Sequence, residues 1–265
     1  MAGVFLTAEW RQLLMLNYEI EPAALEPWVP RGTELDLWND RAYVSVVGFN
    51  FLDTRVCGVP IPGHRSFPEV NLRLYVVRQC GDQQRRGVVF VRELVPRWAV
   101  AFVARACYEE RYWTVPLRYE QSPSGEPIAA GTELGFRWKF ANRWHSMRAR
   151  LAGSFREPMA DSHEAFIAEH YWAYTALRRG ATAEYQVEHV PWRVAPVDNV
   201  ALQADVAALY GPQFVEALAA APASAFVAEG SPILVRWGAR LRDDVPGRDI
   251  VESETPQGRP TAIAR

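Results

Sequence analysis

The stretch that decides the fold is Ser66-Phe67-Pro68-Glu69-Val70-Asn71-Leu72-Arg73-Leu74-Tyr75-Val76-Val77. Its polar and apolar residues alternate, which is typical of a β-strand. Because successive side chains of a strand point to opposite faces, one face carries hydrocarbon and the other carries a carboxylate, an amide, a guanidinium and a phenol. The polar row of Glu69, Asn71, Arg73 and Tyr75 fits a ligand pocket and a solvated strand face equally well.

The composition narrows the class of protein and of partner. The chain has 265 residues, 49% hydrophobic and 23% charged, with a net charge of -2. The hydrophobic and charged fractions are ordinary for a globular protein. The slightly negative net charge does not predict a basic surface for nucleic acid or an anionic membrane. We find no signal peptide and no apolar run of about 18 residues. Cys57, Cys80 and Cys107 lack any Cys-x-x-Cys spacing and suit a reducing cytoplasm.

The distribution of strand patterns predicts a mainly β (α+β) fold. About eight strands follow one another with short turns, which indicates an antiparallel sheet curled into a barrel with several packed helices. We expect residues 1–242 to form one domain and the charged tail 243–265 to be disordered. The predicted strands cover 34–38, 42–51, 69–77, 87–94, 99–104, 115–119, 133–140, 146–155, 185–190 and 232–241, and the predicted helices cover 7–15, 21–28, 161–177, 201–209 and 212–220.

Four motifs, in this order along the chain, resemble the bacterial YqjF-like family of uncharacterised proteins. They are Leu25-Glu26-Pro27-Trp28-Val29-Pro30, Phe67 to Val76 of the stretch above, Glu169-His170-Tyr171-Trp172-Ala173-Tyr174 and His189-Val190-Pro191-Trp192. That family is similar in turn to acetoacetate decarboxylase, and the resemblance implies the β-barrel fold of that enzyme from about residue 7 to 241.

The resemblance also allows the catalytic residues of the decarboxylase to be compared with this sequence. In that enzyme a desolvated lysine beside a second lysine forms a Schiff base with a β-keto acid. Glu69 matches the enzyme's glutamate and Arg105 an arginine, but the lysine pair falls near Tyr112 and Trp113, where no amine is present. The single lysine of the chain, Lys139, is expected on a solvated strand face rather than in the barrel. Schiff-base decarboxylation is therefore not predicted.

Metal and cofactor sites have no support in the sequence. His163 and His170 are seven residues apart, whereas a helical zinc pair has the spacing of His-Glu-x-x-His, which is absent. We expect His170 to be a hydrogen-bonded histidine in the core or at the edge of a pocket. Neither a metal nor a cofactor is predicted.

These observations predict a small apolar-to-amphipathic pocket with a polar wall. Glu69 and Tyr112 are the predicted catalytic residues, and the predicted ligand-binding residues are Asn71, Arg73, Arg105, Tyr108 and Trp113. The favoured function is a small-molecule-binding barrel, or an enzyme without Schiff-base chemistry, for a small carboxylate or carbonyl compound.

Two other functions stay open on the sequence. One is a lyase or hydratase that acts on a keto acid by acid/base chemistry through Glu69 and Tyr112. The other is a structural or partner-binding barrel whose polar row is a satisfied internal network. Nucleic acid and membrane are not expected partners, and self-association into a homo-oligomer is left open.

Overall fold

Strands dominate the computed structural model, which describes residues 3–102, 109–125, 127–178 and 180–241. Sixteen strands within these residues join in one sheet. In chain order they are β1 Val4–Ile20, β2 Glu34–Leu35, β3 Ala42–Val56, β4 Val59–Pro60, β5 Phe67–Cys80, β6 Gln83–Val95, β7 Tyr112–Thr114, β8 Leu117–Ser122, β9 Glu133–Phe140, β10 Arg143–Leu151, β11 Trp172–Ala176, β12 Thr182–Glu188, β13 Val194–Gln203, β14 Ser224–Ala228, β15 Pro232–Arg236 and β16 Ala239–Arg240.

The helices of the described residues are short. They are α1 Pro22–Leu25, α2 His163–Ala168, α3 Val206–Leu209 and α4 Val215–Ala219, with 3-10 turns at Glu26–Trp28 and Pro212–Phe214. Residues 98–102 are also helical. Within the described ranges, no helix is long and apolar enough to cross a lipid bilayer. The predicted disordered tail, 243–265, lies outside the described residues.

Seven strands pair in a closed ring, in the order β3, β5, β6, β11, β12, β15, β1 and back to β3. The ring closes where Trp172 and Ala173 pair in parallel with Gly87 and Val88. A Cβ on Gly87 would lie 2.7 Å from the carbonyl oxygen of Trp172, so this close approach requires glycine. Of the remaining strands of the main path, β4 pairs with β3, and β14, β13, β10, β9 and β8 extend the sheet from β1.

The mainly β fold class is confirmed, but the expectation of a wholly antiparallel sheet is wrong. The pairs β6–β11 and β6–β7 are both parallel. A parallel pair needs a long crossover. The chain between the end of β6 and the start of β11 is long enough to provide it.

The middle parts of β1, β3 and β5 are buried on both faces because each face packs into its own hydrophobic core. Outside the ring, Val70, Leu72 and Leu74 of β5 pack in one cluster with Phe136 and Trp138 of β9; we call this cluster the outer core. Inside the ring, a second cluster of mostly aromatic and aliphatic side chains forms the inner core, which includes Leu13, Met15, Val47, Phe49, Phe67, Tyr75 and Val88.

Burial on both faces explains why the predicted helix over 7–15 is wrong. The run Leu13 to Leu16 alternates between the inner and outer cores, so it is continuously apolar and has no strand period. These residues belong to β1, which pairs with β3 along one edge and with β15 and β14 along the other. Strand pairing on both edges overrides the local helical propensity.

Three other predicted elements differ from the structure. The strand predicted at 99–104 is helical as far as residue 102, and the rest lies outside the described residues. The helix predicted over 161–177 ends at Ala168, and Ser162 caps it by accepting a hydrogen bond from Ala165 N. Strand β11 follows, held by β6 and β12. The helix predicted over 201–209 begins only at Val206, because β13 continues to Gln203.

Candidate functional site

The ring encloses a cavity of about 250 Å³, and all seven of its strands contribute to the wall. Most of the wall is apolar, which is typical of sites for small organic molecules. Its aromatic and aliphatic side chains include Phe5, Trp10, Leu13, Val47, Phe49, Phe51, Phe67, Val88, Phe90, Trp172, Val187 and Trp192. The polar groups are few and convergent, as orientation of one ligand would require.

The polar row of β5 faces this cavity. Glu69, Asn71 and Arg73 all line it, and each is at least nine-tenths buried. Asn71 Nδ2 donates a hydrogen bond to Glu69 Oε1 at 3.0 Å. Tyr75, the fourth member, is buried beneath them, and its hydroxyl lies 2.5 Å from Ser45 Oγ. The row is therefore a pocket wall and not a solvated face.

Two further carboxyl groups join Glu69 at one end of the cavity, and we call Glu69, Glu93 and Glu110 the acid cluster. Glu93 lies on β6 directly across from Asn71, and Tyr112 lies across from Glu93 on β7. The Tyr112 hydroxyl donates to Glu69 Oε2 at 3.1 Å. All three glutamates are almost fully buried and line the cavity.

Glu110 is anchored on the far side of the acid cluster. Its Oε1 accepts hydrogen bonds from Thr175 Oγ1 at 2.6 Å and from the Tyr185 hydroxyl at 3.2 Å. Thr175 belongs to β11 and Tyr185 to β12, so the cluster links the two sides of the ring closure. A carboxyl group held in this way cannot turn away from its two neighbours.

Crowding of buried carboxyl groups raises their affinity for protons. Burial and the charge of Glu110 raise the pKa of Glu69 from 4.5 to about 7. Burial also raises the pKa of Glu110 to about 7, and burial together with Glu110 and Glu69 holds the pKa of Glu93 well above its ordinary value. Burial and the neighbouring carboxylates likewise raise the pKa of Tyr112. The acid cluster can therefore gain or lose protons near neutral pH.

Arg73 contributes positive charge to the same wall. It is the one arginine among the described residues that line the cavity. Its Nη2 donates to the carbonyl oxygen of Ile167 at 3.2 Å and its Nε to the Tyr75 hydroxyl at 3.4 Å. Among the described residues, no carboxylate lies within ion-pair distance of it. A buried guanidinium without a carboxylate is costly unless an anion binds it.

His170 lines the cavity beside Arg73 and bonds outward to Asp36. His170 Nε2 lies 3.0 Å from Asp36 Oδ2, which also accepts a hydrogen bond from Arg86 Nε at 2.7 Å. Burial lowers the pKa of His170 to about 4, so the ring is neutral at pH 7 and Nε2 carries the hydrogen. This location agrees with the expected hydrogen-bonded histidine at the edge of a pocket.

The structure brings together four of the predicted site residues and separates one. Glu69, Asn71, Arg73 and Tyr112 line the cavity. The prediction for Trp113 is wrong: it stacks on Phe140 at 5.2 Å and lies under Arg92 at 3.8 Å, against the outer core. Next to Tyr112 in a strand, it necessarily points to the opposite face.

Two predicted residues, Arg105 and Tyr108, lie outside the described residues. Lys139 lies on β9, outside the ring, and is not among the described residues that line the cavity.

Sequence reasoning missed Glu93 and Glu110. The available signal for Glu93 was a carboxylate beside Arg92 in a segment, 87–95, whose other residues are apolar or glycine. Glu110 had no such signal, because it follows Glu109 in a charged segment and only the fold buries it. Among the described residues, no group of three or more histidine, cysteine, aspartate or glutamate residues has an arrangement that could hold a metal ion.

The fold is shared with solved structures of low sequence identity. The enduracididine biosynthesis enzyme MppR complexed with pyruvate superposes with a TM-score of 0.65 over 92% of both chains, at 12% identity. An acetoacetate-decarboxylase-like enzyme from Sphingomonas wittichii RW1 gives 0.62 over 90% of this chain and 94% of its own, at 13% identity. Acetoacetate decarboxylase from Legionella pneumophila gives 0.61 over 91% and 88%, at 12% identity. The fold is therefore acetoacetate-decarboxylase-like, as the motifs implied.

Sequence comparison identifies the family. The uncharacterized protein YqjF of Bacillus subtilis strain 168 is 26% identical over 188 residues, which is 69% of this chain and 72% of that protein. The model of the DUF2071 family, an uncharacterized conserved protein family (COG2071), matches residues 7–232. The chain therefore belongs to the DUF2071 family.

Proposed function

We propose that the chain binds a small organic carboxylate that also carries a carbonyl group, inside the ring, and that Arg73 holds its carboxylate. The observation that carries this proposal is the position of Arg73: buried, without a carboxylate partner among the described residues, and on the same strand face as Glu69 and Asn71. A ligand carboxylate would neutralise the guanidinium and occupy its free N–H groups.

The apolar wall and the neutral histidines favour a ligand of limited charge. His170 and His189 both line the cavity, and burial lowers the pKa of each to about 4. Arg73 therefore meets an anion without competition from neighbouring cations. The surrounding aromatic side chains exclude water, which strengthens the pairing of the anion with Arg73.

Relatives of the same fold support this class of ligand. The solved structures of this fold include MppR complexed with pyruvate and the acetoacetate decarboxylase of Legionella pneumophila. Pyruvate and acetoacetate are both small oxo acids. The proposal takes over the ligand class only, because the sequence identities are 12%.

The proposal does not include imine chemistry. The only lysine of the chain is Lys139, and it is absent from the described lining of the cavity. Without a primary amine beside the ligand carbonyl, no Schiff base can act as the electron sink. Borohydride treatment in the presence of acetoacetate should accordingly leave the mass of the protein unchanged.

A second candidate function, a lyase or hydratase acting on an oxo acid, has its own supporting observation. Glu69, with a pKa of about 7, accepts a hydrogen bond from the Tyr112 hydroxyl at 3.1 Å. A carboxyl group that titrates near neutral pH suits general acid and general base catalysis. Glu69 would transfer the proton, and Tyr112 would position the carboxyl group of Glu69. In this case Glu69→Gln abolishes turnover and retains ligand binding.

A purely structural network fits the polar wall less well. In such a network the buried polar atoms satisfy one another. Asn71 Oδ1 is buried and has no hydrogen-bond partner among the described residues. This atom, together with the absence of a carboxylate beside Arg73 among the described residues, favours a ligand over an internal role.

The test is calorimetric titration with pyruvate, acetoacetate and straight-chain carboxylates of three to six carbons. We expect binding by the wild type and a loss of about tenfold to a hundredfold in affinity for Arg73→Gln, since a charge-assisted hydrogen bond contributes about 1.5–3 kcal/mol. Arg143→Gln is the matched control, because Arg143 is exposed on β10. Equal affinity of the two variants would refute the assignment of Arg73, and no binding of any carboxylate would refute the proposal.

A further inference from the structure

The acid cluster and Asn71 offer more hydrogen-bond acceptors than the protein satisfies. Asn71 Oδ1 is buried without a partner among the described residues, and Glu93 Oε2 has none when the Glu93 carboxyl group is ionised. When Glu93 is protonated, it can donate to Glu110. The orientation of the Asn71 amide follows from its Nδ2, which donates to Glu69. An oxygen acceptor that is desolvated and unpaired costs about 1–3 kcal/mol, so a donor supplied from the cavity would be stabilising.

These two acceptors converge on one place. Asn71 and Glu93 are direct cross-strand neighbours on β5 and β6, and both line the cavity. Directly opposed residues of an antiparallel pair have Cβ atoms about 5 Å apart. One small group can therefore reach both oxygens, with Glu69 on one side and Glu110 on the other.

The number of hydrogens and the charge together narrow the chemistry of that group. A carbonyl oxygen carries no hydrogen, a hydroxyl supplies one donor and a water molecule two, but none of them carries charge. An ammonium group has three donors and no acceptor. It also carries a positive charge. Among the described residues, Arg111 lowers the pKa of Glu110, but it is exposed and stacks over Trp28.

We propose that the acid cluster and Asn71 form a subsite for an alkylammonium group, so that the ligand is a small zwitterion with its ammonium group here and its carboxylate on Arg73. This inference rests on the proposed function for the carboxylate end of the ligand. It adds a second recognition group and narrows the ligand from carboxylates in general to amino acids with separated charges.

Strand geometry sets the separation of those charges. Asn71 and Arg73 are two residues apart on one face, and two residues of a strand span about 7 Å. An extended 5-aminopentanoate places its nitrogen and carboxyl carbon at a similar separation. In α-amino acids the ammonium and carboxylate groups are too close together to reach both sites. We therefore expect the highest affinity when about four methylene groups separate the two charges.

The probe pair is 5-aminopentanoate and hexanoate, which differ by an ammonium group in place of a methyl group. We expect calorimetry at pH 7 to show at least tenfold tighter binding of 5-aminopentanoate. Its ammonium group should lower the affinity of the acid cluster for protons and release up to about one proton, measured from the difference in binding heat between buffers of different ionisation enthalpy. Hexanoate should release none.

Glu93→Gln tests the subsite directly. It preserves the shape of the side chain but puts an N–H donor where the ammonium group would donate, so the preference for 5-aminopentanoate over hexanoate should fall at least fivefold. Asn71→Leu should lower the same preference by removing the second acceptor. The matched control is Glu216→Gln, at an exposed position on α4, which should leave the preference unchanged.

The outcomes separate the inference from the proposed function. If hexanoate binds as tightly as 5-aminopentanoate, releases no proton and depends on Arg73, the ammonium subsite is refuted and the carboxylate site stands. If neither compound binds, the ammonium subsite is refuted, and the carboxylate site is then judged by the titrations with pyruvate and acetoacetate. A preference for 5-aminopentanoate that Glu93→Gln and Asn71→Leu leave intact would place the ammonium group elsewhere and refute the subsite.

Discussion

On one face of β5, Val70, Leu72 and Leu74 are completely buried in the outer core; on the other, Glu69 and Asn71 are only 2% exposed and line the cavity. Burial is thus nearly equal, but its energetic consequence is opposite. Hydrocarbon leaving water stabilises the folded state, whereas carboxyl, amide and guanidinium groups lose hydration that their partners restore only in part. The apolar face of β5 therefore stabilises the fold, whereas its polar face lowers stability. A polar face with this cost is expected where a ligand binds.

The largest effect is expected from Leu72→Ala, on the outer face. Truncation of a fully buried leucine removes transfer free energy and leaves a void, so the free energy of unfolding should fall by about 3 kcal/mol. Chemical denaturation at pH 7 measures it. Val59→Ala, at an exposed position on β4, is the control and should change stability by less than about 0.5 kcal/mol. A loss below about 1 kcal/mol in Leu72→Ala would contradict the assignment of this face to the core.

The next effect concerns the acid cluster and its pH dependence. With pKa values of about 7 against an ordinary 4.5, Glu69 and Glu110 hold more protons in the folded than in the unfolded state between these values. Their contribution to stability therefore falls as pH rises through that window. The histidines with a pKa lowered to about 4 act in the opposite sense below their ordinary value of 6.5. The net loss should therefore be measurable above pH 6.5.

Glu93→Gln should reduce that loss, because the amide needs no proton to remain neutral in the cluster. We expect the free energy of unfolding to rise at pH 8, where an ionised Glu93 is disfavoured in the folded state, and to rise by less at pH 5. Denaturation at both pH values checks this, with Glu216→Gln as the control. An equal gain at the two pH values would show that relief of carboxylate crowding is not its cause.

A smaller effect is expected from Tyr75→Phe, which removes a hydroxyl from the inner face without changing the shape of the core. The hydroxyl lies 2.5 Å from Ser45 Oγ and accepts from Arg73 Nε. Stability should fall by about 1 kcal/mol, and carboxylate affinity should fall a few-fold because Arg73 is less well positioned. Tyr119→Phe, on β8 outside the ring, should leave carboxylate affinity unchanged; equal affinities for the two variants would contradict a positioning role for Tyr75.

The smallest effect is expected from Trp113→Phe. The side chain packs at the outer core against Phe140 and Arg92, so the change should cost less than about 1 kcal/mol of stability, mainly from the weaker cation–π contact. Ligand affinity should be unaffected, in contrast to that of Arg73→Gln. A tenfold loss of ligand affinity in Trp113→Phe would contradict the assignment of Trp113 to the outer core.

Strands with a clear two-residue period were predictable, and strands buried on both faces were not. Residues 69–77 and 133–140 alternate polar and apolar side chains, and both are strands. The segment 7–15 and the end of 161–177 lack that alternation because hydrocarbon covers both sides or because pairing with distant strands decides the structure. In these segments local propensity favoured helix, and the ring closure overrode it.

The site was predictable to the extent that it lies on one strand. Glu69, Asn71 and Arg73 share a face because they are two residues apart, and Tyr112 came from the resemblance to the decarboxylase family. Glu93, Glu110 and His170 come from other segments, and nothing in their local sequence places them beside Glu69. Trp113 was assigned to the wall by proximity in sequence, although its strand turns it to the opposite side.

The sequence by itself determined the mainly β class, the family motifs and the polar face of β5. These features depend on residue type and on spacing within one segment. Only the tertiary structure decided that the polar face looks into a cavity and that three carboxyl groups meet there beside a buried guanidinium. Those facts depend on which strands close the ring, and strand pairing over long sequence separations is not encoded in any local pattern.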